Sequence, residues 1–275
     1  MDPKGYKTYL TSFRKCPEDL YTIDSTPRYI QDEQVPSRIM KSYSVEELAK
    51  KKFIISLREP VARMFSNYQD WVRICLEHGQ IEGYRESIGY EPDSAFQQER
   101  GGLKCSMIAK NWKPGGMKQE DLELETFGEF VDSQYGLGEM TRGYYRLHIQ
   151  KWLEPMMDKQ IKRSQIFIVN FQTLTQNTTD VMSRLASFLG LKSDWGKSVK
   201  LPASPQVKPP NTVFDCETFH ELDQHYQLSN KNLYSFINNA DDKPPEEPYF
   251  PVFDSPRSHC VNVLTPPPSN PVEER

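Results

Sequence analysis

Apolar and polar positions fall along this chain in blocks that predict strand–helix–strand–helix order. Leu20-Tyr21-Thr22-Ile23 reads as a short strand running into Asp24-Ser25-Thr26-Pro27. Ser44-Val45-Glu46-Glu47 has the form of a capping box, in which serine and glutamate each satisfy an orphan N–H of a starting helix. It predicts a short helix through Lys50. Phe53-Ile54-Ile55-Ser56-Leu57 is a brief apolar run between charged residues, the pattern of a strand buried on both faces of a parallel sheet. Pro60 follows where the first turn of a helix tolerates proline. Val61, Phe65, Tyr68, Val72, Cys75 and Leu76 then recur at helical spacing, predicting a helix packed on the sheet. Residues 78–120 are Gly-rich and polar and predict a long, partly helical insertion near the substrate.

The pattern sharpens again after Thr141. Tyr145, Ile149, Trp152, Leu153 and Met156 make one helical stripe, and Gln165-Ile166-Phe167-Ile168-Val169 a second buried strand. Val181, Met182, Leu185, Phe188 and Leu189 predict an amphipathic helix stopped by Gly190. This alternation predicts an α/β fold with a parallel sheet. Residues 200–216 read as a loop. Phe219, Leu222 and Tyr226, then Leu233 and Ile237, predict a closing pair of helices. Proline is dense beyond Asp241, so the expected organisation is one domain over 1–240 and a disordered Pro-rich tail over 241–275.

The length of 275 residues suits one large domain with a sizeable core. A net charge of −4 argues against a general nucleic-acid binder, yet leaves room for a local basic cleft. No apolar run approaches the roughly 18 residues of a membrane span, so no membrane segment is expected. Met1-Asp2-Pro3-Lys4 lacks the basic-then-apolar form of a signal peptide. The 5 cysteines (Cys16, Cys75, Cys105, Cys216, Cys260) have no CxxC spacing, which argues against a zinc site and leaves one disulfide or five thiols equally open. Asn177-Thr178-Thr179 is a glycosylation sequon, meaningful only in the secretory path.

The segment Ile55-Ser56-Leu57-Arg58-Glu59-Pro60-Val61-Ala62-Arg63-Met64-Phe65-Ser66-Asn67-Tyr68 carries the clearest chemistry. Arg58 closes a parallel strand, and Ser66 lies on the second turn of the next helix. Ligands collect at the carboxyl edge of open α/β sheets. There a forked guanidinium, a helix N-terminus and a hydroxyl suit a phosphate monoester. The plainer account, an arginine in a surface salt bridge and a serine facing water, fits the spacing equally well.

That segment resembles the 3′-phosphate-binding stretch of sulfotransferases using 3′-phosphoadenosine 5′-phosphosulfate (PAPS), and the resemblance implies that Arg58 and Ser66 hold the donor's 3′-phosphate. Gly143-Tyr144-Tyr145-Arg146-Leu147-His148-Ile149-Gln150-Lys151-Trp152-Leu153 resembles the G-x-Y-x-x-H-x-x-x-W-L helix of heparan sulfate sulfotransferases. Phe188-Leu189-Gly190-Leu191, Ser229-Asn230-Lys231-Asn232-Leu233-Tyr234 and the Thr26-Pro27-x-Tyr29 turn, with Ser25 where lysine often stands, fall in family order. The long loop after the first helix, with Cys75 and Cys105, resembles the enzyme that adds 6-O-sulfate to N-acetylgalactosamine 4-sulfate.

The resemblance implies a three-layer P-loop-type domain that moves sulfate from PAPS, without metal, to a hydroxyl or amine of a glycosaminoglycan-type glycan in the Golgi lumen. There a Cys75–Cys105 disulfide is allowed, two buried thiols being the alternative, and Asn177 is a glycosylation candidate. His148 is either a hydrogen-bonded packing residue or a catalytic contact to acceptor or sulfate. Lys208, before Pro209, would reach the donor's phosphate or adenine. The family's first β-loop-α unit, with its lysine-bearing phosphosulfate loop and its glutamate base, has no match in this sequence, so the expected domain lacks that unit and its activity is in question. The rival expectations are a P-loop-type kinase relative and a non-catalytic glycan- or nucleotide-binding remnant.

Overall fold

A computed structural model of the chain describes residues 23–26, 29–79, 81–82, 95–113, 117–156, 158–191, 199 and 215–255. Among these residues the main sheet is a parallel pair, β1 (Phe53–Leu57) and β4 (Ile166–Asn170), in register from Phe53↔Ile166 to Leu57↔Asn170. Strands β2 (Ile81–Glu82) and β3 (Met117–Lys118) form a separate short parallel pair.

Helices cover the two faces of the main sheet unequally. On one face Leu57, Ile166 and Ile168 join Tyr145, Ile149 and Trp152 of α7 (Tyr145–Leu153) and Leu233 and Ile237 of α10 (Cys216–Asn238). The same cluster takes Val35 and Met40 of α1 (Gln34–Ser42) and Leu48 of α2 (Val45–Ala49). On the other face Phe167 and Val169 meet Val181 and Phe188 of α9 (Thr178–Leu189). This is the three-layer α/β arrangement. Because α9 covers the β4 half only, Ile54 and Ser56 of β1 are exposed on that face. The expectation that β1 is buried on both faces is therefore corrected; only β4 is buried throughout.

Local signals are realised closely. Ser44 accepts the Glu47 N–H while Glu47 accepts the Ser44 N–H, so the capping box opens α2. Gly190 ends α9 with φ 74°, a left-handed conformation that disfavours any side chain, and the next N–H, of Leu191, bonds the Ala186 carbonyl. Long-range partners depart from expectation. The stripe of α3 (Pro60–His78) packs not on the main sheet but against α4 (Ala95–Ile108), α5 (Phe127–Asp132) and α10, in a cluster without main-sheet residues among those described. The closing helical pair is one continuous helix of 23 residues, its buried stripe unbroken from Phe219 through Tyr226 and Asn230 to Ile237. No glycine or proline interrupts it.

The predicted tail boundary at 240 is corrected too. Residues 241–255 pack on the domain, with Phe250, Phe253 and Glu247 buried. Proline density favoured a tail, but apolar anchors spaced along the segment bury it. Residues 256–275 lie outside the described residues.

Candidate anion site at the sheet edge

Leu57↔Asn170 is the last pair of the ladder, so Arg58 and Phe171 leave the sheet side by side. Phe171 opens α8 (Phe171–Gln176) with its ring partly exposed, and the Arg58 guanidinium lies 5.7 Å from the ring centroid, within cation–π range. Arg58 is exposed and, among the described residues, makes no side-chain ion pair or hydrogen bond. Its backbone is fixed instead: the buried Tyr145 hydroxyl donates to the Arg58 carbonyl at 2.8 Å.

The helix entrance beside Arg58 is already in use. Glu59 is the N-cap of α3, accepting the N–H groups of Val61 (3.0 Å) and Ala62 (2.5 Å). Burial pushes its carboxyl up to about 7, against the two N–H bonds and Arg58 and with the aid of Asp223. An incoming anion therefore meets side chains here, not the free helix terminus that the sequence reading invoked. Ser66, on the second turn of α3, is half-buried and its hydroxyl has no partner among the described residues.

The second arginine of the segment behaves otherwise. Arg63 donates to the buried Glu139 carboxylate (2.9 Å) and to its carbonyl (2.6 Å), while Arg142 takes the other carboxylate oxygen. Arg63 thus locks α3 to α6 (Gln134–Thr141), which carries Glu139.

His148 is half-buried on α7, and its Nε2 lies 3.1 Å from the Thr141 carbonyl. A carbonyl only accepts, so that nitrogen carries the proton and donates. The bond ties the ring to the turn before its own helix. The side chain of α7 that reaches the strand end is Tyr145, which sequence reasoning placed in the packing stripe. The signal was available, because a buried tyrosine hydroxyl needs a partner.

Cys75 and Cys105 form a disulfide joining α3 to α4, S–S 2.00 Å, which resolves the alternatives for that pair. Gly79 beside it has no room for a side chain: a Cβ would stand 2.3 Å from the Cys105 sulfur. Cys216 is a free thiol. Asn177 is exposed between α8 and α9, its side chain making no cap bond. Lys208, Cys16 and Cys260 lie outside the described residues. Two surface concavities, about 670 Å³ around Asn177 and about 360 Å³ lined by Lys52, Lys162 and Phe188 among others, contain neither Arg58 nor Ser66. No helix among the described residues is long and apolar enough to cross a membrane, and no cluster of metal-ligating side chains occurs among them.

These features define an α/β domain of the class whose parallel strands present ligand-binding groups at their carboxyl edge. The chain belongs to the sulfotransferase family: residues 22–201, well over half of it, match the sulfotransferase domain. Its structure is similar to that of a sulfotransferase from Alicyclobacillus acidocaldarius, with a TM-score of 0.48 and 18% sequence identity over 86% of this chain and 71% of that one. No curated protein matches it in sequence.

Proposed function

We propose that this domain transfers a sulfuryl group from PAPS to a hydroxyl or amine of a glycan, and that Arg58 and Ser66 bind the donor's 3′-phosphate. Family membership makes it a sulfuryl-transferring domain. The observation that supports the donor seat is the contrast within one segment: Arg63 forms an ion pair with Glu139, whereas Arg58 forms none among the described residues. A guanidinium and a hydroxyl from the second turn of the next helix suit a phosphate monoester, the fork meeting two oxygens and the hydroxyl a third. Tyr145 fixes the backbone from which the fork extends. Glu59, neutral below about pH 7, adds no negative charge beside the phosphate there.

The glycan acceptor, and a place for His148 beside it or beside the moving sulfate, rest on the resemblance of the Gly143–Leu153 helix. Lys208 is assigned to the donor on the same ground. The buried Cys75–Cys105 disulfide and the exposed Asn177 sequon support folding in an oxidising lumen, in keeping with a Golgi enzyme.

Calorimetric titration with adenosine 3′,5′-bisphosphate tests the donor reading. Arg58→Ala is expected to weaken binding by roughly 10- to 100-fold, the value of lost charge-assisted hydrogen bonds. Competition by ATP with equal strength would favour a kinase relative instead. Radiolabelled sulfate transfer to heparan- and chondroitin-type chains then tests the acceptor class.

A further inference from the structure

Residues 241–255, expected to be a tail, are tied along the sheet in one direction. Glu247 accepts the outward N–H of Ile168 in β4 at 2.7 Å and pairs with Arg163. Phe250 exchanges both backbone groups with the Asn238 side chain, each bond 2.9 Å. The Phe253 N–H donates to the Tyr234 hydroxyl at 3.0 Å. Asp254 accepts from the Gln172 side chain, and Ser255 donates to Asp223 at 3.1 Å. The segment thus climbs from the middle of β4 to the first turn beyond it, where Phe171 carries the Arg58 guanidinium.

Phe253 is the buried residue nearest the consequence. Its ring stands edge-on to Tyr234 at 5.7 Å and to Tyr145 at 6.4 Å. Tyr145 in turn bonds the Arg58 carbonyl. Arg58 lies beyond the last strand pair, so the ladder does not set its direction, and among the described residues its fork makes no hydrogen bond or ion pair and lies near the Phe171 face. The Tyr145 hydroxyl is a fixed point for that backbone, and Phe253 is one of the walls holding the Tyr145 ring.

We propose that residues 247–255 form a wall of the donor site, and that Phe253 is a positioning residue that holds Tyr145 and, through its hydroxyl, aims Arg58. The proposal rests on the donor reading above. It is tested in the full chain with adenosine 3′,5′-bisphosphate by calorimetry, below the unfolding temperature of every variant. Tyr145→Phe keeps the ring packed and removes the hydroxyl, with its bond to the Arg58 carbonyl and its interaction with Arg63, and it is expected to weaken binding about 5- to 10-fold. Phe253→Ala is expected to weaken it at least as much, and the double variant no more than the worse single one, because both act through one contact. Slowed hydrogen exchange at the Phe253 amide on adding the nucleotide is the readout that a purely structural role would not give. Wild-type affinity in Tyr145→Phe, or effects that simply add, overturns the wall and leaves the Arg58 reading standing. Absence of nucleotide binding by the wild type sinks both.

Discussion

The two ends of the β1–β4 pair each carry an arginine, and the fold treats them oppositely. At the amino end Arg163 is buried, doubly bonded to Glu247, an acid 84 positions away, and also donates to the Ile166 carbonyl. Gln165 beside it donates to the carbonyls of Leu48 and Lys51, closing that end further. At the carboxyl end Arg58 is exposed over an aromatic ring and forms no ion pair among the described residues. One guanidinium bonds protein groups through both of its terminal nitrogens; the other makes no side-chain hydrogen bond or ion pair among the described residues. The role of an arginine is thus set by which groups already bond it, and those come from distant parts of the chain.

Substitutions at the two ends should separate stability from binding. The largest effect is expected at the closed end. Glu247→Ala leaves Arg163 charged and buried and strips the Ile168 N–H of its acceptor, so urea unfolding should register a loss of about 3–5 kcal/mol. The double variant Arg163→Met with Glu247→Leu removes the stranded charge. It should cost only about 1–3 kcal/mol, for the Ile166 carbonyl and Ile168 N–H left unbonded. A double variant as damaged as the single one would mean that the clasp is not what holds residues 241–255.

An effect of intermediate size concerns Glu59, at the open end. Its carboxyl sits at about 7 in the fold against an ordinary 4.5, so the folded state binds more protons across that window. Its contribution to stability is fully present below pH 4.5 and is lost as pH climbs through 7. Unfolding measured from pH 4.5 to 8 should therefore decline less steeply in Glu59→Gln than in the wild type. Identical slopes would show that Glu59 is ionised normally. The smallest expected effect is Arg58→Ala on stability, within about 0.5 kcal/mol, since that side chain makes no hydrogen bond or ion pair among the described residues. A loss comparable with that of Glu247→Ala would make Arg58 a second clasp and erase the contrast.

What the amino-acid sequence disclosed follows the range of the interactions concerned. The Ser44–Glu47 box, Pro60 at the start of α3, the two strands and the Gly190 stop are fixed by neighbours within a turn, and all were legible. The partners of the α3 stripe, the half-covered face of β1 and the burial of Phe250 and Phe253 depend on which elements meet in space, and none could be read from local pattern. The site divides in the same way. Arg58 was singled out as a candidate by motif and strand-end position, but the Glu59 cap, the Tyr145–Arg58 bond and the diversion of Arg63 to Glu139 required the fold.

The central claim is a coupling between one guanidinium and one phosphate, and a thermodynamic cycle measures it directly. Adenosine 3′,5′-bisphosphate and adenosine 5′-monophosphate, titrated calorimetrically into wild type and Arg58→Ala, differ by the 3′-phosphate alone. Arg58 as its seat predicts a wild-type preference for the bisphosphate of roughly 10-fold or more that disappears in the variant. A preference that survives intact in Arg58→Ala would place the 3′-phosphate elsewhere and contradict the account.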